Sequence, residues 1–323
     1  MSPKTEQQPN KQQASGPETS CQDKKNAEHY LEVENINEIP KALNLLHIVG
    51  ALLQIPESIF LFAFSSNIHL KWLVFTNYPV PVDTDLAAEI GGEGNDNLFY
   101  AQPESKFITS LYVPWITGAI VLLSALDHIF TITPRGRQLY NYHLARNKSP
   151  FRWFEYAISC SLMNVHMTQM VGVTDLHIIS LIFVLSISIQ YPAYIFEVLN
   201  AKARNDGYGY YWSPFFFATI PYGAAWGVIA SYYIQSVEIG SDPPYFVFTT
   251  LVTVFTLEGM FPVLFVLQWL KIGPFENYIN GEYGFIVLGI MAKSALAWIT
   301  VVGSQEYFIN LQLENESDNV FAG

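Results

Sequence analysis

Seven apolar stretches, separated by polar connections, organise most of the chain. They cover about residues 41–64, 107–133, 150–173, 176–200, 213–236, 244–270 and 283–304. Each stretch is close to or longer than the roughly 20 residues that a helix needs to cross the hydrocarbon core of a bilayer. The pattern therefore predicts an all-α membrane protein with seven transmembrane helices.

The composition agrees with this prediction. Half of the 323 residues are hydrophobic and only 14% are charged, compared with about 25% charged residues in soluble domains. The net charge of −12 argues against nucleic acid as a partner and leaves the lipid bilayer as the expected one. The two cysteines, Cys21 and Cys160, lie in segments that we do not expect to meet, so no disulfide is predicted.

The polar segments divide the chain into a helical domain and two tails. Residues 1–40 are rich in Gln, Lys, Glu, Asn and Ser and contain no apolar run, which predicts a disordered tail. The helical domain is expected over residues 41–310, followed by a short tail over residues 311–323. The long connection over residues 66–106 holds two candidate strands, Trp72–Phe75 and Leu98–Tyr100.

The distribution of basic residues predicts the orientation of the bundle. One side receives most of them, namely Lys4, Lys11, Lys24, Lys25, Lys41, Arg135, Arg137, Arg146, Lys148, Arg152, Lys202, Arg204 and Lys271. The other side receives only Lys71 and Lys106. Because cytoplasmic loops of membrane proteins are enriched in Lys and Arg, we expect a cytoplasmic N-terminus and an extracellular C-terminus in the cell membrane.

One basic residue falls in the middle of an apolar stretch. Lys293 is the only charged residue between Tyr283 and Gly303. An ammonium group at that depth costs roughly 3 kcal/mol on insertion scales. Two interpretations are open: the amine forms a Schiff base with an aldehyde, or the lysine lies in a water-filled cavity or ion path.

Sequence motifs around this lysine and in the third apolar stretch resemble those of heliorhodopsins. The motifs are Leu267-Gln268-Trp269, Gly273-Pro274-Phe275, Tyr278, Gly281-Glu282, Ala292-Lys293-Ser294-Ala295-Leu296-Ala297-Trp298 and Arg152-Trp153-Phe154-Glu155-Tyr156-Ala157-Ile158-Ser159. The resemblance covers roughly residues 41–304. It implies a rhodopsin-like bundle in the inverted orientation, a short β-ribbon in the first outside loop, all-trans retinal bound covalently to Lys293, and a homodimer.

The resemblance also implies roles for polar residues near the lysine. Glu155 corresponds to the counterion of the protonated Schiff base; the alternative is a glutamate at a helix start, favoured by the dipole and paired with Arg152. His128 corresponds to a histidine close to the Schiff base, and we group it with Ser124, Asp127 and Glu258 as a candidate proton network. A buried histidine can equally be a hydrogen-bonded core residue.

The sequence departs from the family pattern at three positions. Ala51 stands where a second histidine is expected, and His47 lies one turn earlier on a similar helix face. Gly289 stands where a serine is expected, four residues before the lysine. Asp127 adds an acid that the pattern does not contain. We therefore expect colour and proton transfer to differ from those of typical members.

Three further acids lie inside the apolar stretches. Glu258 is about as deep as Lys293, so we interpret it either as a functional carboxyl group or as a protonated acid bonded to neighbouring helices. Glu57 is a candidate for an outside-facing water path, and Glu197 is expected to reach the cytoplasmic boundary. Candidate wall residues of the retinal pocket, which at this spacing are more often plain packing residues, are Met163, Met167, Trp226, Phe255 and Trp298.

These observations favour a light-absorbing photoreceptor with a slow photocycle and a sensory or regulatory role, with an unknown cytoplasmic signalling partner. The alternative is light-driven or light-gated proton transport through the intramembrane carboxyl groups. A third possibility is a membrane scaffold that does not respond to light. No nucleophile–base pair, metal-ligand spacing or phosphate-binding loop stands out in the sequence, so we expect neither an enzyme nor a metal site.

Overall fold

The computed structural model describes residues 40–64, 71–81, 101–240 and 243–321. These residues form eight α-helices, one two-stranded sheet and one short 3₁₀ helix. In chain order they are α1 Lys41–Phe64, β1 Lys71–Pro81, β2 Ala101–Tyr112, α2 Val113–Ile132, α3 Pro134–Leu144, α4 Pro150–Met170, α5 Leu176–Asp206, α6 Ser213–Glu238, α7 Tyr245–Trp269, the 3₁₀ helix Gly273–Glu276 and α8 Tyr278–Phe321. The predicted tail over residues 1–40 lies, except for its last residue, outside the described ranges.

Five of the described helices are long and apolar enough to cross a membrane. They are Lys41–Ala63 of α1, α2, α5, α7 and Tyr278–Tyr307 of α8. The apolar stretches predicted at 150–173 and 213–236 also form helices, α4 and α6, but neither reaches the same hydropathy. Their sequences explain this difference, because α4 carries Arg, Glu, Asn, His and Gln, whereas α6 is rich in Tyr, Pro, Gly and Ser. The protein is therefore mostly helical and has the spans of an integral membrane protein.

The connection between α1 and α2 contains an antiparallel β-ribbon. Strands β1 and β2 pair from Lys71 opposite Tyr112 to Pro81 opposite Ala101. The candidate strand at residues 72–75 is confirmed, whereas the one at residues 98–100 lies outside the described ranges. The ribbon is tied to the helices because the Phe75 N–H donates to the Thr174 carbonyl at 2.8 Å.

Three helix boundaries differ from the sequence-based prediction. The second apolar stretch was placed at residues 107–133, but residues 107–112 continue β2, and the helix begins only at Val113. Pairing with β1 extends the strand through these apolar residues. The short helix α3 was not predicted; its N-cap is Thr133, which accepts a hydrogen bond from the Gly136 N–H at 3.2 Å. Finally, α8 continues to Phe321, well beyond the predicted end at residue 304.

Two large clusters of buried side chains hold the helices together. One contains Met163, Met167 and Trp226 together with aliphatic residues of α7 and α8. The other is mainly aromatic and includes Trp153, Tyr156, Phe196, Phe265, Trp269 and Phe285. Aromatic rings in edge-to-face contact, such as those of Phe196 and Phe265 at 5.0 Å, pack well while keeping fixed orientations. The aromatic cluster forms the surroundings of the candidate site.

Candidate functional site

The site is built around the Lys293 side chain, which is only 3% exposed. Its Nζ lies 2.8 Å from both Oε1 and Oε2 of Glu155 and donates to Ser124 Oγ at 3.2 Å. These three residues come from α8, α4 and α2, so the contact joins three helices that are distant in sequence. A buried cation is stable only when it is paired and hydrogen-bonded. The Glu155 carboxylate supplies both interactions.

One interpretation of the sequence paired Glu155 with Arg152, but Arg152 has other partners. Its guanidinium group forms ion pairs with Glu197 of α5 and Glu282 of α8. Glu197 is fully buried in this cluster. The Tyr278 hydroxyl and the Ser149 N–H both donate to Glu197 at 2.9 Å. Among the described residues, Lys293 is therefore the only cation within ion-pairing distance of Glu155.

A small polar cavity connects the lysine to the arginine cluster. Its volume is about 30 Å³, which accommodates about two water molecules. The residues that line it are His47, Ser124, Asp127, His128, Tyr140, Ser149, Arg152, Glu155, Tyr156, Glu282, Phe285, Ile286, Gly289 and Lys293. Three of the four residues that we grouped as the proton network, Ser124, Asp127 and His128, therefore line one cavity, whereas Glu258 does not. Water in this cavity would connect the two ion-pair clusters.

Two histidines meet at the edge of the polar cavity. The Nδ1 atoms of His47 and His128 are 3.0 Å apart, and the two rings are in edge contact at 5.1 Å. The family pattern has a second histidine near the site, and this chain has Ala51 at that position. His47, one turn earlier, instead lies beside His128. The Nε2 atoms of both rings are buried without a partner among the described residues. A cavity water is the partner that would satisfy them.

The tyrosine at position 140 extends the polar cavity to α3. Its hydroxyl donates to Glu282 Oε2 at 3.1 Å. Complete burial, reinforced by the negative charge of Glu282, raises the pKa of Tyr140 well above its ordinary value. The phenol therefore remains a hydrogen-bond donor across the physiological pH range. It holds the Glu282 carboxyl group in position against Arg152.

A second, apolar cavity lies beside the first. Its volume is about 130 Å³, and it is lined by residues of α4, α5, α6, α7 and α8, including Trp153, Cys160, Ala193, Phe215 and Phe265. Tyr156 and Phe285 line both cavities. The Lys293 Nζ is 5.1 Å from the centre of the Tyr156 ring. Lys293 itself lines only the polar cavity, and Tyr156 and Phe285 form the junction between the two cavities.

Gly289 keeps this junction open. A Cβ atom at this position would lie 3.2 Å from the Tyr156 hydroxyl and 3.9 Å from Lys293 Nζ. The hydroxyl of the expected serine would therefore be directed into the space next to the amine. Glycine leaves that space free, and the Tyr156 hydroxyl donates instead to the Phe285 carbonyl at 2.9 Å.

Glu258 lies at the apolar cavity, away from Lys293. Its Oε2 accepts a hydrogen bond from Trp226 Nε1 at 3.0 Å, and its buried Oε1 has no partner among the described residues. None of the five residues predicted to form the wall of the retinal pocket lines either cavity. Met163 and Met167 are buried in the adjacent apolar cluster, whereas Phe255 and Trp298 are 51% and 40% exposed. These two rings lie on the outer surface of the helices. Helical periodicity alone cannot distinguish an aromatic residue that faces lipid from one that faces a bound ligand.

Glu57 forms a separate contact on the other face of α8. Its Oε2 accepts a hydrogen bond from Ser294 Oγ at 2.7 Å, and the Trp298 side chain also interacts with the carboxyl group. Ser294 follows Lys293 directly in sequence. Glu57 is thus connected to the helix that carries the lysine, but it does not line either of the two cavities described above.

Sequence reasoning missed three residues of the site: Glu282, Tyr140 and Tyr156. Glu282 had a usable signal, since it is an acid directly before the apolar run that contains the lysine. Tyr140 lies in a polar connection that we did not predict to be helical, so nothing in the pattern directed it inwards. Among the described residues, no group of three or more His, Cys, Asp or Glu could hold a metal ion.

Comparison with known proteins gives one family and one related fold. The heliorhodopsin family model matches residues 43–305 of this chain. A solved structure of a light-driven proton pump from Leptosphaeria maculans aligns with a TM-score of 0.52 and 15% identity, covering 83% of this chain and 98% of that one. At this identity the likeness shows the rhodopsin fold alone. No curated protein sequence matches the chain.

Proposed function

The chain belongs to the heliorhodopsin family, and we propose that it is a light-absorbing retinal protein with a sensory or regulatory role. The observation that carries this proposal is the buried pair of Lys293 and Glu155 at 2.8 Å, next to the Tyr156 ring, which also lines an apolar cavity. An amine in that position has a counterion on one side and space for an apolar ligand on the other. We propose covalently bound all-trans retinal as that ligand.

The residues at the site fit this chromophore. Lys293 offers a primary amine for condensation with an aldehyde. Tyr156 and Phe285 present aromatic walls next to it, and Gly289 leaves the space between amine and phenol open. The apolar cavity of about 130 Å³ is similar in size to engineered cavities that bind an apolar ring. Bound as a protonated Schiff base, retinal would supply visible absorption and light-driven isomerisation.

The chain's own polar groups would then hold and move a proton. Glu155 stabilises a positive charge at Lys293 Nζ, and Ser124 adds a hydrogen bond. The polar cavity provides Asp127, Glu282 and the pair of histidines as further proton-binding groups. Because these groups share one enclosed space, a proton released near Lys293 could be stored there and returned. Such storage is what a slow photocycle without net transport requires.

Our proposal includes a topology of seven membrane spans with the N-terminus in the cytoplasm, and a homodimer. The asymmetry of Lys and Arg between the two sides supports this orientation. Glycosylation in a eukaryotic host tests it, because the sequons at Asn315 and Asn147 lie on opposite sides. Sugar on Asn315 alone is expected. Sugar on Asn147 would contradict the inverted orientation.

A visible spectrum tests the retinal proposal directly. We expect the purified protein, supplied with all-trans retinal, to develop a visible band that hydroxylamine bleaches under illumination. Lys293→Ala should form no such band, because it lacks the amine. A folded wild-type protein that stays colourless, or a mutant that keeps the band, would refute the proposal and favour a scaffold that does not respond to light.

A second candidate function is light-driven or light-gated proton transport. Glu258 supports it, because this carboxyl group is buried in a membrane-crossing helix with an unpartnered oxygen. The fold is also shared with a light-driven proton pump. Photocurrents in voltage-clamped cells that vanish in Glu258→Gln would establish transport through this residue. No current under saturating light would exclude it and leave the sensory role.

A further inference from the structure

Three polar side chains interrupt the apolar lining of the larger cavity. Three side chains that line it carry buried oxygen atoms without a hydrogen-bond partner among the described residues: Glu258 Oε1, Asn164 Oδ1 and the Tyr222 hydroxyl. Glu258 is 7% exposed and Asn164 is 2% exposed. Buried polar atoms are nearly always satisfied in folded proteins. Three unsatisfied oxygens on one cavity therefore indicate a missing hydrogen-bonding partner.

Neighbouring side chains hold two of these oxygens in position. Trp226 Nε1 donates to Oε2 of Glu258 at 3.0 Å, which leaves Oε1 of the same carboxyl group available. Asn164 Nδ2 donates to Ser186 Oγ at 3.0 Å, which leaves its carbonyl oxygen available. The available oxygens are therefore part of a fixed arrangement. A plain hydrocarbon in the cavity could not satisfy any of them.

The three polar side chains belong to helices other than α8, which carries Lys293. Glu258, Tyr222 and Asn164 belong to α7, α6 and α4, whereas α8 contributes only Phe285 to the residues that line this cavity. A chromophore attached to Lys293 of α8 and extending past Tyr156 would direct its ring end away from α8. The ring end would therefore meet the three unpartnered oxygens.

We propose that the site selects a retinal whose ring carries a hydroxyl group, in preference to unsubstituted retinal. This inference rests on the retinal function proposed above. A ring hydroxyl can donate one hydrogen bond to Glu258 Oε1 and accept one from the Tyr222 hydroxyl. The rest of the cavity is apolar and suits the hydrocarbon part of the ring. The role of Glu258 is then to determine chromophore specificity.

A competition experiment tests this preference. The retinal-free protein is supplied with equal amounts of all-trans retinal and all-trans 3-hydroxyretinal, and the bound chromophores are extracted and separated by chromatography. We expect the hydroxylated form to be enriched about fivefold, which corresponds to one net hydrogen bond. Glu258→Leu and Tyr222→Phe should each reduce the enrichment to about twofold or less. Val252→Ala, an exposed position on α7, should leave it unchanged.

The possible outcomes separate this inference from the retinal proposal. Normal pigment with retinal but no enrichment of the hydroxylated form in wild type would overturn the inference alone; water would then be the partner of the three oxygens. Enrichment that persists in both Tyr222→Phe and Glu258→Leu would also overturn it. A wild-type protein that binds neither aldehyde would overturn both proposals together.

Discussion

Replacing Glu155 with Gln tests the electrostatics of the site most directly. The substitution keeps the shape of the side chain but removes the carboxylate charge that lies 2.8 Å from Lys293 Nζ. Both partners are almost fully buried, with exposed fractions of 3% and 8%, so solvent screens the interaction little. Removing one partner of such a pair typically costs about 3–5 kcal/mol. Since 1.4 kcal/mol is a factor of ten, the protonated form should become roughly 10²- to 10³-fold less favourable.

The assay is a pH titration of the visible band in the pigment formed with all-trans retinal. We expect the pH at which half of the band is lost to fall by about two to three units in Glu155→Gln relative to wild type. Ser124→Ala is the matched control, because it removes only a hydrogen bond of 3.2 Å from the same amine. Its shift should stay below about one unit.

Two substitutes for the missing charge must be removed in this experiment. The measurement uses chloride-free buffer, because a small anion in the polar cavity could replace the carboxylate. It is repeated in a variant that also carries Asp127→Asn, because Asp127 lines the same cavity. A double variant that keeps the wild-type titration would refute the assignment of Glu155 as the counterion. An intermediate shift in the single variant that grows in the double variant would assign part of the charge to Asp127.

Three further predictions concern stability. Arg152→Met should lower the free energy of unfolding by about 3–5 kcal/mol, and with it the thermal midpoint, because it leaves two buried carboxylates without their cation. Replacing both carboxylates, Glu197 and Glu282, with Gln in the same variant should recover part of the loss. No recovery would contradict the ion-pair explanation. Gly50→Ala should lower the free energy of unfolding by about 1–3 kcal/mol, because its Cβ would lie 2.4 Å from the His128 ring. The control Gly223→Ala, whose Cβ would have nothing within 4 Å, should be neutral or slightly stabilising. Equal thermal midpoints for the two variants would refute the close approach at Gly50. Burial, together with two nearby basic side chains, lowers the pKa of His143 in the folded protein. As the pH falls below about 6.5, the unfolded chain therefore takes up a proton at this residue before the folded protein does, which favours unfolding. Wild type should lose stability more steeply than His143→Gln between about pH 7 and pH 5, and parallel plots of stability against pH would contradict this.

The helical core of the fold was predictable because apolar length and charge placement are local properties of the sequence. The end of β2 was not, because apolar residues such as Phe107 and Ile108 fit a helix or a strand, and only pairing with β1 decides between them. The helix α3 was missed for a similar reason. It is too polar for a span, and its position depends on the contact between Tyr140 and Glu282.

The candidate site was predictable where a residue type is costly at its position. A lysine in the middle of an apolar stretch requires a partner, and Glu155 proved to be that partner. The walls of the apolar cavity were not predictable, because aromatic residues facing lipid and those facing a cavity have the same helical spacing. Phe255 and Trp298 illustrate this ambiguity with their exposed rings, and Tyr156 was overlooked although it lines both cavities.

The charges around the polar cavity bear on the choice between signalling and transport. Two cations, Lys293 and Arg152, are in reach of four carboxyl groups, those of Glu155, Asp127, Glu282 and Glu197. Four carboxyl groups therefore accompany two cations in this part of the bundle. The cluster therefore has the capacity to take up and exchange protons internally. Glu57 and Glu258, by contrast, lie outside this cavity. Under the retinal function that we propose, a proton displaced from Lys293 would have Glu155 as its nearest carboxyl group, with Asp127 and Glu282 in the same cavity, as storage and return of the proton require.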